Sequence, residues 1–172
     1  MASYVHIERG FDPVFDGRSR VLVLGSFPSV ASRADGFYYG HPRNRFWPVL
    51  AAVTGEPVPA AGDVDAKRAM LLAHGVALWD VVASCDVAGS SDASIRNVVP
   101  VDVRRVLDAA PIGCVVCNGA TAGRLYGRWL EGETGMPALV LPSTSPANAT
   151  WGFERLLGRW DEALGPWVRA RA

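Results

Sequence analysis

Lysine is nearly absent from the sequence: Lys67 stands alone, and the other basic side chains are almost all arginines. Basic and acidic residues balance at 17 each, giving no net charge. That balance argues mildly against a nucleic-acid partner, because phosphate neutralisation usually requires a basic excess. A few arginines gathered at one mouth would still serve an enzyme that must let its product go. No apolar run approaches the roughly 20 residues of a membrane span, so a membrane protein is not expected. The opening Met1-Ala-Ser-Tyr-Val-His6 has no basic stretch followed by an apolar one; no export signal is read, and a cytoplasmic location is expected. Cysteine is scarce, with 3 in the chain, too few for a four-cysteine zinc or iron–sulfur cage. An odd number outside a secretory context points to free thiols. Cys114 and Cys117 have the spacing of a redox pair, yet Gly113-Cys-Val-Val-Cys-Asn118 is apolar and strand-like, which favours core packing.

What is present fits one globular domain over 1–172. With 172 residues, 49% of them hydrophobic, a chain buries about two-thirds of its unfolded surface and needs no metal or disulfide to hold a core. Four short apolar runs read as strands buried on both faces: Val21-Leu-Val-Leu24, Val76-Ala-Leu-Trp79, Cys114-Val-Val-Cys117 and Ala138-Leu-Val-Leu141. Helices are expected near 44–53, 63–73, 101–109, 120–130 and 151–163. Strand alternating with helix predicts an α/β fold, a three-layer sandwich with a central four-stranded parallel sheet flanked by helices. The Pro/Gly-rich stretch from Gly55 to Gly62 reads as a surface loop between helices.

In an open parallel sheet, ligands bind beyond the carboxyl ends of the strands. The unusual segments all fall there. Gly25-Ser-Phe-Pro-Ser29 follows the first strand, with Gly36-Phe-Tyr-Tyr-Gly-His-Pro-Arg-Asn-Arg-Phe-Trp47 behind it. Asp80 and then a polar loop from Ser84 to Asn97 follow the second, Asn118-Gly119 the third, and Pro142-Ser-Thr-Ser-Pro-Ala-Asn148 the fourth. This rim has no carboxylate pair, histidine cluster or phosphate-binding Gly/Lys loop. It suits a flat polar ligand on a phosphate-bearing frame: Phe27, Phe37, Tyr38 and Tyr39 for stacking, Asn for an amide-like edge, hydroxyls and backbone N–H groups for phosphate. Phe46 and Trp47 read as core residues, and His41 and His74 as packing or surface residues.

Four blocks in order, Gly25-Ser-Phe-Pro-Ser29, Tyr39-Gly-His-Pro-Arg-Asn-Arg-Phe-Trp47, Cys117-Asn-Gly119 and Leu141-Pro-Ser-Thr-Ser-Pro-Ala-Asn148, resemble the uracil-DNA glycosylase superfamily. Within it the resemblance is to the hypoxanthine (deoxyinosine) DNA glycosylases. It implies base flipping and excision from double- or single-stranded DNA, with no metal and no cofactor; the chain is expected to act as a monomer. It implies Asn44 as the catalytic residue, holding water through its carboxamide oxygen. Asn118 is implied to read the base with both halves of its amide, N–H to O6 and oxygen to N1–H, beside Gly25 and Ser26, with Phe27 or Tyr38 stacking on it. Ser143, Thr144 and Ser145, with the backbone N–H groups of the Pro142 to Asn148 loop that includes Pro146, would grip phosphates, and Ala147 or Asn148 would sit nearest the emptied stack.

Two positions depart from the wider superfamily. Many members carry Asp or Asn to position water where this chain has Phe27, and the uracil enzymes carry His to stabilise the departing base where it has Leu141; neither Phe nor Leu performs those tasks, so efficient uracil excision is not implied. Other readings stay open from the residues alone. Asn44 also suits a helix N-cap, and Asn118 a turn residue before Gly119. A uracil or mismatch-thymine glycosylase of the same fold, a non-catalytic damage-binding protein and a free-nucleoside hydrolase are the competing functions.

Overall fold

The computed structural model describes residues 3–8, 10–89 and 92–169. Its strands are β1 (Val5–Ile7), β2 (Val21–Gly25), β3 (Val76–Asp80), β4 (Val82–Val87), β5 (Arg96–Pro100), β6 (Cys114–Asn118) and β7 (Ala138–Leu141). The helices are α1 (Val30–Asp35), α2 (Phe46–Thr54), α3 (Val64–Ala73), α4 (Arg104–Leu107), α5 (Ala120–Trp129), α6 (Glu131–Thr134) and α7 (Phe153–Arg169), with a 3₁₀ turn at Asp92–Ser94.

The four apolar runs form one parallel sheet in the order β3-β2-β6-β7, flanked by helices as the alternating pattern predicts. Every residue of β2 and β3 is buried, which is why those segments have no polar face. The fourth run differs: β7 lies at the sheet's edge, where cover is incomplete, and Leu139 and Val140 are each 49% exposed. Cys85 and Cys117 are buried and all three cysteines are free; burial pushes the Cys117 thiol up to about 12, so it is a packing group. Lys67 is buried as well, its ammonium donating to the Ala61 carbonyl at 2.8 Å.

The stretch from Ser84 to Asn97 is not a polar loop. β4 and β5 pair antiparallel and, with β1, make a second sheet in the order β1-β4-β5; Ser90 and Ser91 lie outside the described residues. The register shifts twice along β4, so its buried residues Val82, Cys85 and Val87 break the two-residue period by which a strand is recognised.

The helices also differ in extent from the sequence pattern. Only Arg104–Leu107 of the 101–109 segment is α-helical, and α1, capped by the Ser29 hydroxyl accepting from the Ser32 N–H, was not anticipated. The last helix continues through Pro166 to Arg169. Trp167 lies over Gly113, where an added Cβ would come within 2.6 Å of its ring, and this contact holds the final turn against the sheet. Phe46 of α2 meets Trp160 of α7 edge-on at 6.1 Å between centroids, and the Trp160 indole N–H donates to the Pro142 carbonyl at 3.0 Å. The loop after β7 is thereby pinned to the core. Among the described residues no helix is long and apolar enough to cross a membrane.

Candidate active site

The carboxyl ends of β3, β2 and β6 open onto a cleft of about 370 Å³. Asp80 pairs in register with Gly25, and Leu24 with Cys117, so Gly25 stands between Asp80 on one side and Asn118 on the other. A Cβ at Gly25 would lie 2.4 Å from Asp80 Oδ1 and 3.0 Å from the Tyr39 hydroxyl. Glycine is required here because only its missing side chain leaves room for both groups.

All but two of the expected site residues line this cleft: Gly25, Ser26, Phe27, Tyr38, Asn44, Asn118, Ser143, Thr144, Ser145 and Ala147. Pro146 and Asn148 are outside its lining, the Asn148 amide donating to the Ser143 carbonyl at 3.0 Å. Phe27 and Tyr38 supply apolar wall and are almost wholly buried. The Tyr38 hydroxyl is committed to the Asp12 carbonyl at 2.7 Å, so the ring is fixed and presents only its apolar surface. Phe37 stacks on Trp47 in the core, outside the cleft.

The two asparagines are joined through one residue. Asn118 Nδ2 donates to Thr144 Oγ1 at 2.9 Å, Asn118 Oδ1 accepts from the Thr144 N–H at 3.0 Å, and Thr144 Oγ1 donates to Asn44 Oδ1 at 2.9 Å. Asn44 Oδ1 also accepts the Phe46 N–H at 2.9 Å at the start of α2. Both lone pairs of that oxygen are therefore engaged; the N-cap position of α2 is Arg45, and Asn44 holds the start of the helix from one residue earlier while lining the cleft. The group left for a guest is Asn44 Nδ2, not the oxygen anticipated for holding water. At Asn118 the edge that pairs N–H with oxygen faces Thr144, so the expected two-bond reading of a base does not fit; one N–H and one lone pair remain. Because the Thr144 N–H can only donate, it fixes which end of the Asn118 amide is oxygen.

Thr144 is wholly buried, so it does not face a DNA backbone as anticipated. The N–H groups expected to hold phosphate are also occupied: Ser145 donates to the Ser143 hydroxyl, Ala147 to the Ser145 hydroxyl and Asn148 to the Ser145 carbonyl. Arg45 draws the loop in. Its Nη2 donates to the Ser145 and Asn148 carbonyls at 3.1 Å each, and its Nη1 to the Trp151 carbonyl. The cap of α2 and the loop after β7 are thereby one assembly. Gly119, with φ of 98° and Ser143 Cβ 3.1 Å from where its own Cβ would be, allows their close approach.

Asp80, Tyr39 and Arg33 also line the cleft. Asp80 is 4% exposed and its Oδ2 has no hydrogen-bond partner. Burial, reinforced by the Asp92 carboxylate, pushes the Asp80 carboxyl up to about 7. Tyr39, with φ of 53°, has a left-handed backbone that non-glycine residues rarely adopt. Its hydroxyl approaches Asn118 without completing a hydrogen bond; burial, with Asp80 near, keeps it protonated. Asp92 accepts from the Ser26 hydroxyl at 3.1 Å, so two carboxyl groups line the cleft where the sequence pattern suggested no carboxylate pair. A signal for Asp80 was available: it is the one polar residue of β3 and closes it at the rim, whereas the Tyr39 backbone had none.

A family model described as the uracil DNA glycosylase superfamily matches residues 13–163. The chain belongs to the uracil DNA glycosylase superfamily. Two curated superfamily relatives are named hypoxanthine DNA glycosylase. The one from Methanosarcina acetivorans is 34% identical over 150 residues, 87% of this chain and 93% of its own. The one from Methanosarcina barkeri is 32% identical over 158 residues, 91% and 98% respectively. A solution NMR structure from Methanosarcina acetivorans, described as a candidate uracil DNA glycosylase, superposes with a TM-score of 0.79 at 31% identity. It covers 95% of this chain and 99% of its own.

Proposed function

We propose that this protein is a monofunctional DNA glycosylase of base-excision repair that flips hypoxanthine, the base of deoxyinosine, out of DNA and hydrolyses its N-glycosidic bond. The observation that carries the reading is the Asn118–Thr144–Asn44 chain of hydrogen bonds along one wall of an aromatic-lined cleft; two relatives of matching length named for hypoxanthine support the choice of base.

Bond cleavage at deoxyribose leaves positive charge on the sugar and negative charge on the departing base. Water must sit beneath C1′, and donors must meet the base where charge gathers. Asn44 Nδ2 holds the water by one lone pair of its oxygen and leaves the other for C1′. The remaining N–H of Asn118 donates to O6 of hypoxanthine; adenine presents a donor at that place, so an N–H would face an N–H. Such a buried mismatch costs about 1–3 kcal/mol. Phe27 and Tyr38 enclose the flipped base, whose extrusion is cheaper from a mispair than from a Watson–Crick pair. The hydroxyls of Ser143 and Ser145, with the exposed Arg43 beside Asn44, meet phosphates at the mouth. The enzyme acts as a monomer on duplex or single-stranded DNA in the cytoplasm.

Single-turnover cleavage of oligonucleotides carrying inosine or uracil tests this. Inosine should be cut faster, and Asn44→Ala should lose about 100-fold or more in rate with its melting temperature kept. Faster cutting of uracil would overturn the choice of base, and near-normal cleavage by Asn44→Ala would overturn the residue.

A further inference from the structure

Asp80 is a carboxyl group that the steps above leave unused, at the place where such a group is hardest to keep. It is 96% buried by its 4% exposure, Oδ2 has no partner, and Oδ1 faces the void left by Gly25. An unpartnered buried polar atom costs stability, and simple packing would be served better by an apolar residue at the end of Val76-Ala-Leu-Trp79. Four titratable side chains line the cleft with it: Arg33 from α1, Tyr38 and Tyr39 from the segment before α2, and Asp92 from the 3₁₀ turn. No histidine or lysine is among them, so the only carboxyls are Asp80, walled in, and Asp92, at the exposed side and bonded to Ser26.

A purine leaves deoxyribose with difficulty because N9 must take the bonding pair. Placing a proton on N7 lets that pair be accepted without net negative charge on the ring. Within the reading of hypoxanthine excision, on which this rests, Asn44 and Asn118 are amides and neither holds a transferable proton. We propose that Asp80 is the general acid of the reaction, its carboxyl donating a proton to N7 of the bound purine as the bond to C1′ breaks. The N7 lone pair forms the new N–H bond, the C1′–N9 pair goes to the ring, and neutral hypoxanthine leaves. Water adds through oxygen to C1′ and gives up a proton to the Asp80 carboxylate, which restores the acid. The raised pKa of the group, close to neutrality, is the one such proton transfer requires. Tyr39, protonated and turned to the same void by its left-handed backbone, supports the carboxyl after it has given up its proton.

The test is single-turnover excision from an inosine duplex, from acid to alkaline pH, for wild type and for Asp80→Asn, with affinity for an abasic product duplex measured beside it. Wild type should lose rate tenfold per pH unit above about 7. Asp80→Asn should be slower by about 100-fold or more at neutral pH, lose that pH dependence and bind product normally. An Asp80→Asn enzyme with the wild-type rate and profile would overturn the proposal while leaving the function intact. No hypoxanthine release by wild type would overturn the functional reading itself. Should Asp80→Asn not fold, Asp80→Glu carries the test: it keeps an acid and should retain a falling alkaline limb, displaced in pH, and a flat profile for it would also refute the assignment.

Discussion

The hydroxyl of Thr144 donates to the carboxamide oxygen of Asn44 across 2.9 Å, joining residues 100 positions apart in the chain. That single bond, together with the Phe46 N–H, decides which face of the Asn44 amide meets the cleft.

Thr144→Val keeps the shape and removes the hydroxyl. Asn44 Oδ1 loses one donor and Asn118 Nδ2 loses its acceptor, while the backbone bond to Asn118 Oδ1 remains. Stability should fall by about 1–3 kcal/mol in denaturant unfolding. Excision from inosine should fall about 10- to 100-fold because Asn44 is free to turn. An unchanged rate with normal stability would show that the orientation of Asn44 is fixed elsewhere.

Gly25→Ala fills the space between strands. Its Cβ would come within 2.4 Å of Asp80 Oδ1 and 3.0 Å of the Tyr39 hydroxyl, and both are buried, so one must move. The expected cost is about 1–3 kcal/mol of stability and a drop in excision rate larger than any loss in affinity for abasic DNA. Equal losses in rate and affinity would place the damage at the mouth and not at the floor.

Stability itself should depend on Asp80. Its pKa is raised by burial from 3.8 when unfolded to about 7 when folded, so the folded state favours the proton. The advantage of the protonated group is complete below 3.8 and is lost as pH rises through about 7. Thermal melts should therefore show Asp80→Asn gaining on the wild type as pH is raised across this window, by up to about 4 kcal/mol, since the shift spans about three pH units at 1.36 kcal/mol each. No change in the difference between the two proteins across that window would mean that the carboxyl is not held neutral by the fold.

The parallel sheet and its rim were legible because each is written locally. An apolar run of Val and Leu encodes a strand with both faces covered, and the clustering of hydroxyl, amide and aromatic residues after such runs follows from where a parallel sheet opens. The antiparallel sheet was hidden: β1 is three residues long, and the irregular register of β4 spoils its alternation. Asn44 and Asn118 were visible as candidates, but what their amides do was not, because Thr144 lies 26 positions from one and 100 from the other. Asp80 stood in view as a rim residue, and only the surrounding burial and the bare Gly25 lead to the role proposed for it.

Arg45 gives the catalytic neighbourhood a mechanical character. Next in the chain to Asn44, its guanidinium spans to three carbonyls between Ser145 and Trp151, so under the proposed mechanism any strain that a bound duplex exerted on that loop would be carried to the residue assigned to the water. Under that proposal grip and chemistry share a single lever, and a strand seated out of register would turn Asn44 away before an undamaged nucleotide could be cut.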